Sequence, residues 1–152
     1  MRRYYELRRN LDAMLAYKLL DSFFWVFHTA LVVFNLTGWI PRRTRRLNLF
    51  TLAMTAFSWF GLGFWYGWGY CACTDWHWQV RQQLGYHDES STYIHLLLLK
   101  LTGVSFDLTT VEILTLAGFL VSLVMSLILN IRDWRRSAAE RKLLPIQDSP
   151  IG

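Results

Sequence analysis

Three apolar runs, at residues 19–40, 47–70 and 108–131, decide what this chain can become. Each matches or exceeds the roughly 20 residues that an α-helix needs to cross a hydrocarbon core about 30 Å thick. Lipid offers the backbone no hydrogen-bond partners, so runs of this kind fold as helices. A chain of 152 residues with 53% hydrophobic residues and eight Trp could not hide that surface in a soluble domain. The pattern predicts one all-α membrane domain with three transmembrane helices.

The charge agrees. A formal net charge of +5 would suit nucleic acid, but the Arg residues flank the apolar runs and do not form one stripe. Arg42, Arg43, Arg45 and Arg46 fill the short connector between the first two runs, and Arg132, Arg135, Arg136 and Arg141 follow the last. Membrane proteins distribute positive charge in this way, with Lys and Arg kept on the cytoplasmic side. With three crossings, the connector and the tail share one side with nine Lys and Arg, against seven on the other. That difference points the connector and tail inward. The first run is too long for the core of a secretory signal and lacks a small-x-small cleavage site. Two Cys one residue apart do not make a disulfide framework.

Along the chain, residues 1–18 read as a basic amphipathic helix with Tyr4, Leu7, Leu11 and Met14 at helical spacing, lying at the lipid interface or docked on a partner. In the first span Asp21, His28 and Asn35 recur every seven residues, so they share one inward face. The second span carries Thr51, Thr55 and Ser58 in its first half. In its second half Gly63-x-x-x-Gly67 would let another helix approach closely. Trp59, Trp65, Trp68, Tyr66 and Tyr70 suit an aromatic belt. Short helices are expected at about 74–84, capped by Thr74 and closed by Gly85, and at about 92–102. The second is too short to cross and reads as re-entrant or interfacial. Asp107 should cap the last span, whose Glu112, Thr115, Ser122, Ser126 and Asn130 mark an inward face. Residues 132–152 form a basic tail, expected to be partly disordered.

In the three-span arrangement Asp21, His28, Cys71, Thr74, His77, His95 and Glu112 occupy the same half of the protein. Ionisable groups inside a membrane domain are the natural candidates for a site. The expectation is one polar pocket lined by both His28 and His95, with Glu112 facing it and Cys71 at its rim. Imidazole pairs suit zinc, copper or haem iron. Cys71-x-Cys73 followed by His77 has soft-metal residue types without zinc-finger spacing. No nucleophile elbow, phosphate loop or H-E-x-x-H motif is present in the sequence.

Three segments in this order, HTALVVFNLTGW, WGYCACTDWHWQVRQQLGY and STYIHLLLLKLTG, resemble the bacterial membrane proteins grouped as domain-of-unknown-function family 2784. The resemblance covers about residues 19–134. It implies that His28, Trp68, Cys71, Thr74 and His95 stand at recurrent family positions, whereas His77 stands where many members would carry a carboxylate. The family implies an architecture and no reaction. Two functions therefore remain open at this point. One is an accessory subunit that binds another membrane protein or a second copy of itself in a bacterial inner membrane. The other is a membrane redox protein holding a metal or haem on His28 and His95.

Overall fold

In the computed structural model, which describes residues 1–87 and 92–143, the first apolar run and the basic stretch before it form one helix, α1 (Arg2–Thr37). No Gly or Pro separates the two parts, so nothing breaks the hydrogen-bond ladder where the amphipathic start was expected to end. At 1.5 Å per residue such a helix is about 54 Å long, well beyond one membrane crossing. Its end is set by contact. A Cβ on Gly38 would lie 2.6 Å from the Phe34 carbonyl oxygen and 2.9 Å from Asn48 Nδ2. Only glycine lets the second helix come this close.

The return helix α2 (Arg45–Ala56) widens into a π-helical stretch (Phe57–Leu62) and ends as a short turn, α3 (Gly63–Tyr66). Together they are long and apolar enough to cross. The crossing stops four residues short of the expected residue 70. Gly67, at φ 107°, turns the chain out of the helix. The Gly63-x-x-x-Gly67 pair is therefore not a helix-packing face. Gly67 lies beyond the helix end, and Gly63 is covered by the backbone of Trp68 and Gly69. The π stretch has a local use: Ser58 Oγ donates to the Tyr70 carbonyl at 3.0 Å and accepts from the Ala72 amide at 3.3 Å. It thereby fixes the turn that starts the next helix.

That helix, α4 (Ala72–Gln83), begins behind Cys71, whose extended backbone puts it at the N-cap position expected for Thr74. Its end follows expectation: Gly85 has φ 79°, and the Gly85 and Tyr86 amides return to the Gln82 and Arg81 carbonyls. This is the double bond pattern of a glycine-terminated helix. A further short helix, α5 (Tyr93–Thr102), has ten residues and does not cross. The last helix, α6 (Leu108–Leu143), starts under Asp107, whose Oδ2 accepts from the Thr110 amide at 2.8 Å and hydroxyl at 2.9 Å. These bonds to Thr110 hold the Asp107 carboxyl below its ordinary range. The helix continues through residues 132–143, which were expected to belong to the tail. The polar 88–91 loop and the tail from 144 onward lie outside the described residues.

The fold is an all-α bundle with three helices long and apolar enough to span a membrane. Its interior is narrow and polar, because lipid as apolar as Leu gives helices no hydrophobic reason to associate. Asn48, Leu52 and Ser126 are fully buried. Asn35 Nδ2 donates to Thr55 Oγ1 at 3.0 Å while its Oδ1 accepts from Thr51 at 2.8 Å, and Asn48 donates to the Phe34 carbonyl at 2.8 Å. Phe23, Phe27, Val33, Phe50, Leu120, Val121 and Val124 face outward. Arg45 closes one end, donating to Asp133 at 2.8 Å while Asn130 donates to the Arg45 carbonyl at 3.1 Å. The Arg-rich connector and the far end of α6 thus sit on the same side.

Candidate functional site

At the opposite end, α4 lies along α1 and places a column of residues against it. His77 and Arg81 are four apart on α4, and so share a face. On α1 they meet Asp21, Phe24 and Trp25, and His28 continues the same face, seven residues after Asp21.

Asp21 is the centre of charge. Its Oδ1 lies 2.8 Å from His77 Nε2 and 3.2 Å from Arg81 Nη1. His77 is completely buried and Arg81 is 3% exposed. Arg81 carries its positive charge at any pH, and its guanidinium also lies over the Tyr86 ring at 4.7 Å. Burial outweighs the bond to Asp21 and pushes His77 below its ordinary value. Among the described residues Asp21 and Arg81 thus form an ion pair beside a neutral imidazole. With Nε2 donating to the carboxylate, His77 Nδ1 carries a lone pair, and this buried atom has no hydrogen-bond partner among the described residues. The ring is held by stacking on Phe24 and an edge contact with Trp25, each at 5.5 Å.

His28 is the second buried imidazole. Tyr93, the first residue of α5, stacks on it at 3.8 Å with the rings 13° from parallel. The Tyr93 hydroxyl donates to the Trp25 carbonyl at 3.0 Å, so its contact of 2.8 Å with Thr29 takes the Thr29 proton. His28 Nε2 faces Cys71 Sγ at 4.0 Å, and Nδ1 is buried without a partner among the described residues. The neighbouring Cys73 thiol, helped by His28 and opposed by burial, holds the Cys71 thiol below its ordinary value, while Cys71 and burial push Cys73 up. Both cysteines are free and half-buried.

Of the residues singled out in the sequence, the structure gathers Asp21, His28, Cys71 and His77 into one cluster. Thr74 lies half-buried in the first turn of α4. His95 is not part of it. It follows Tyr93 by two residues, which turns it roughly 200° around α5, and its Nε2 donates to the Phe106 carbonyl at 3.0 Å. The expected His28–His95 pair is therefore replaced by a His28–Tyr93 pair. Glu112 is exposed, and Val111 takes the inward position beside it. Among the described residues no three His, Cys, Asp or Glu side chains converge as a group able to hold a metal. Arg81 and Tyr93 were missed. Arg81 could have been found from its spacing, four residues after His77 on a helix close to a span whose one charged residue is Asp21. Tyr93 gave no such signal, because the register of α5 decides whether residue 93 or 95 faces inward.

A family model described as a protein of unknown function (DUF2784) matches residues 18–131. No curated protein and no solved structure matches the chain.

Proposed function

Because the chain belongs to the family of unknown function DUF2784, whose description carries no activity, we propose a role from its geometry: an accessory subunit of a larger membrane complex, in a bacterial inner membrane. The observation that carries this reading is the first half of α1. Residues 1–16 are all exposed, including Tyr4, Tyr5, Leu7, Leu11, Met14 and Leu15. They continue the crossing helix without a break, so they cannot lie flat on the lipid while the rest of α1 crosses. About 17 residues project some 25 Å beyond the crossing, with an apolar stripe that none of the described residues covers. Another protein standing out of the membrane would cover it. Meanwhile the inner polar residues are used on one another: Asp21 on His77 and Arg81, and Asn35 on Thr51 and Thr55.

Purification from the native membrane in mild detergent, with and without residues 2–16, tests this reading. We expect the full chain to carry a second membrane protein at fixed stoichiometry, and the shortened chain to insert but lose it. Identical composition of the two preparations overturns the proposal.

A second reading is supported by the two buried Nδ1 atoms without partners. A haem or metal would then take His28 or His77 as a single ligand beside Cys71, because no three such side chains converge among the described residues, and His95 lies outside the cluster. An optical spectrum and metal analysis of the purified protein decide this. A Soret band or a stoichiometric metal, lost in His28→Phe with the fold intact, establishes it, and neither signal removes it.

A further inference from the structure

The cytoplasm-facing end proposed for α6 carries a second feature, separate from the α1–α4 cluster. Ile128, Ile131, Arg132, Arg135, Arg136 and Ala139 line a shallow groove of about 470 Å³ on this helix. Their spacing of three and four places them on one face. Ser126, Asn130, Asp133 and Ser137 lie on the other, half a turn away at roughly 100° per residue. That other face is the packed one: Ser126 is fully buried, and Asn130 and Asp133 hold Arg45. The groove therefore looks away from the bundle.

Depth along the helix follows from the same contacts. Arg45 precedes the apolar part of α2, and its ion pair with Asp133 marks the level at which both helices leave the hydrocarbon. The 24 residues from Leu108 to Ile131, within the length range of a crossing helix, bring α6 to the same level. The groove straddles this boundary. Ile128, 54% exposed, and Ile131, 48% exposed, stand on the hydrocarbon side. Arg132, Arg135 and Arg136 stand at and just beyond the boundary. These three make no ion pair among the described residues, whereas Arg42 and Arg45 on the inner side share Asp133. Trp134 is exposed beside them, at the depth favoured by interfacial aromatic rings.

We propose that this face of α6 seats an anionic phospholipid, with its phosphate held by Arg132, Arg135 and Arg136 and its acyl chain lying along Ile128 and Ile131. Guanidinium groups bind phosphate oxygens by paired, charge-assisted hydrogen bonds. A zwitterionic headgroup offers the same phosphate but adds a cationic amine that three guanidinium groups on one face repel, so a lipid of net negative charge is preferred. An apolar ledge directly beneath distinguishes a lipid from a free phosphate, which would gain nothing from it.

The test uses the full chain, released from nanodiscs containing phosphatidylglycerol and phosphatidylcholine, with retained lipid read by native mass spectrometry. The wild type should retain phosphatidylglycerol preferentially. The variant R132Q/R135Q/R136Q should lose about a hundredfold of that preference at low ionic strength, since each of its three Arg contributes near an anionic surface. The variant R132K/R135K/R136K should keep most of it. The control R2Q/R3Q/R9Q removes equal charge from the other end and should keep all of it. Equal loss in this control, or full competition by inorganic phosphate, overturns the proposal. An unchanged preference in R132Q/R135Q/R136Q overturns it too, and an unchanged melting temperature in phosphatidylcholine shows that this variant is folded.

Discussion

Asp21 illustrates how a single residue is committed by its surroundings. Its carboxylate accepts from both His77 and Arg81, and the histidine has no other bonded nitrogen among the described residues. Asp21→Asn keeps the size but removes the negative charge that faces the Arg81 guanidinium and the His77 ring. Weakening a largely buried charge pair that is 19% exposed at Asp21 should cost about 1–3 kcal/mol, the range of a charged hydrogen bond. Thermal melting in detergent should show it. His77 supplies a pH dependence whose sign is fixed by burial. Its folded value lies below the ordinary 6.5, so on acidification the unfolded chain takes up the proton first. The stability contributed by the neutral ring is present above about 6.5 and is lost as pH falls through that value toward the lower folded one. His77→Gln should flatten the decline between pH 7 and 5. An equally steep decline in the variant would assign the effect to other groups. Asp21 and His28 were legible because both are costly in lipid and lie seven residues apart. The partner of His28 was not, because adjacent registers of a ten-residue helix look alike in sequence.

At the scale of elements, the α1–α2 hairpin depends on close approach at Gly38. Gly38→Ala places a methyl group against the Phe34 carbonyl and the Asn48 amide, both under 3.0 Å away. Asn48 is fully buried and donates to Phe34, so it can yield only by giving up that bond. The expected cost is about 1–3 kcal/mol, seen as a lower melting temperature. A melting temperature equal to the wild type would mean that the hairpin opens without penalty. Ser58 plays the matching part at the other end, where Ser58→Ala frees the turn ahead of Cys71. The cost there should be about 1 kcal/mol, with faster alkylation of Cys71 as the local sign. Span number was legible because apolar length is a property of composition. Element ends were less so. The stop at Gly67 and the π stretch before it depend on tertiary bonds from Ser58 and from Gly69 to Trp59, which no local pattern encodes.

For the whole molecule, the three crossings place the connector and the end of α6 together, and the Arg45–Asp133 ion pair ties them. This contact is independent of the count of positive charges. It carries the relative placement of the two segments even though nine Lys and Arg against seven is a small bias. The absolute direction rests on that bias alone, so the two are tested separately. In a chain carrying Cys71→Ala and Cys73→Ala, single cysteines introduced as Arg43→Cys, Ala139→Cys and His87→Cys can be labelled with an impermeant maleimide. Positions 43, 87 and 139 are all exposed, so each can react if reagent reaches its side. Positions 43 and 139 should react together and only from the cytoplasmic face, with 87 reacting from the other. Reaction of all three in the reversed sense would leave the bundle intact and turn it over, making residues 1–16 cytoplasmic and the partner site with them. Reaction of 43 and 139 from opposite faces would break the three-span arrangement, because the Arg45–Asp133 contact could not then exist.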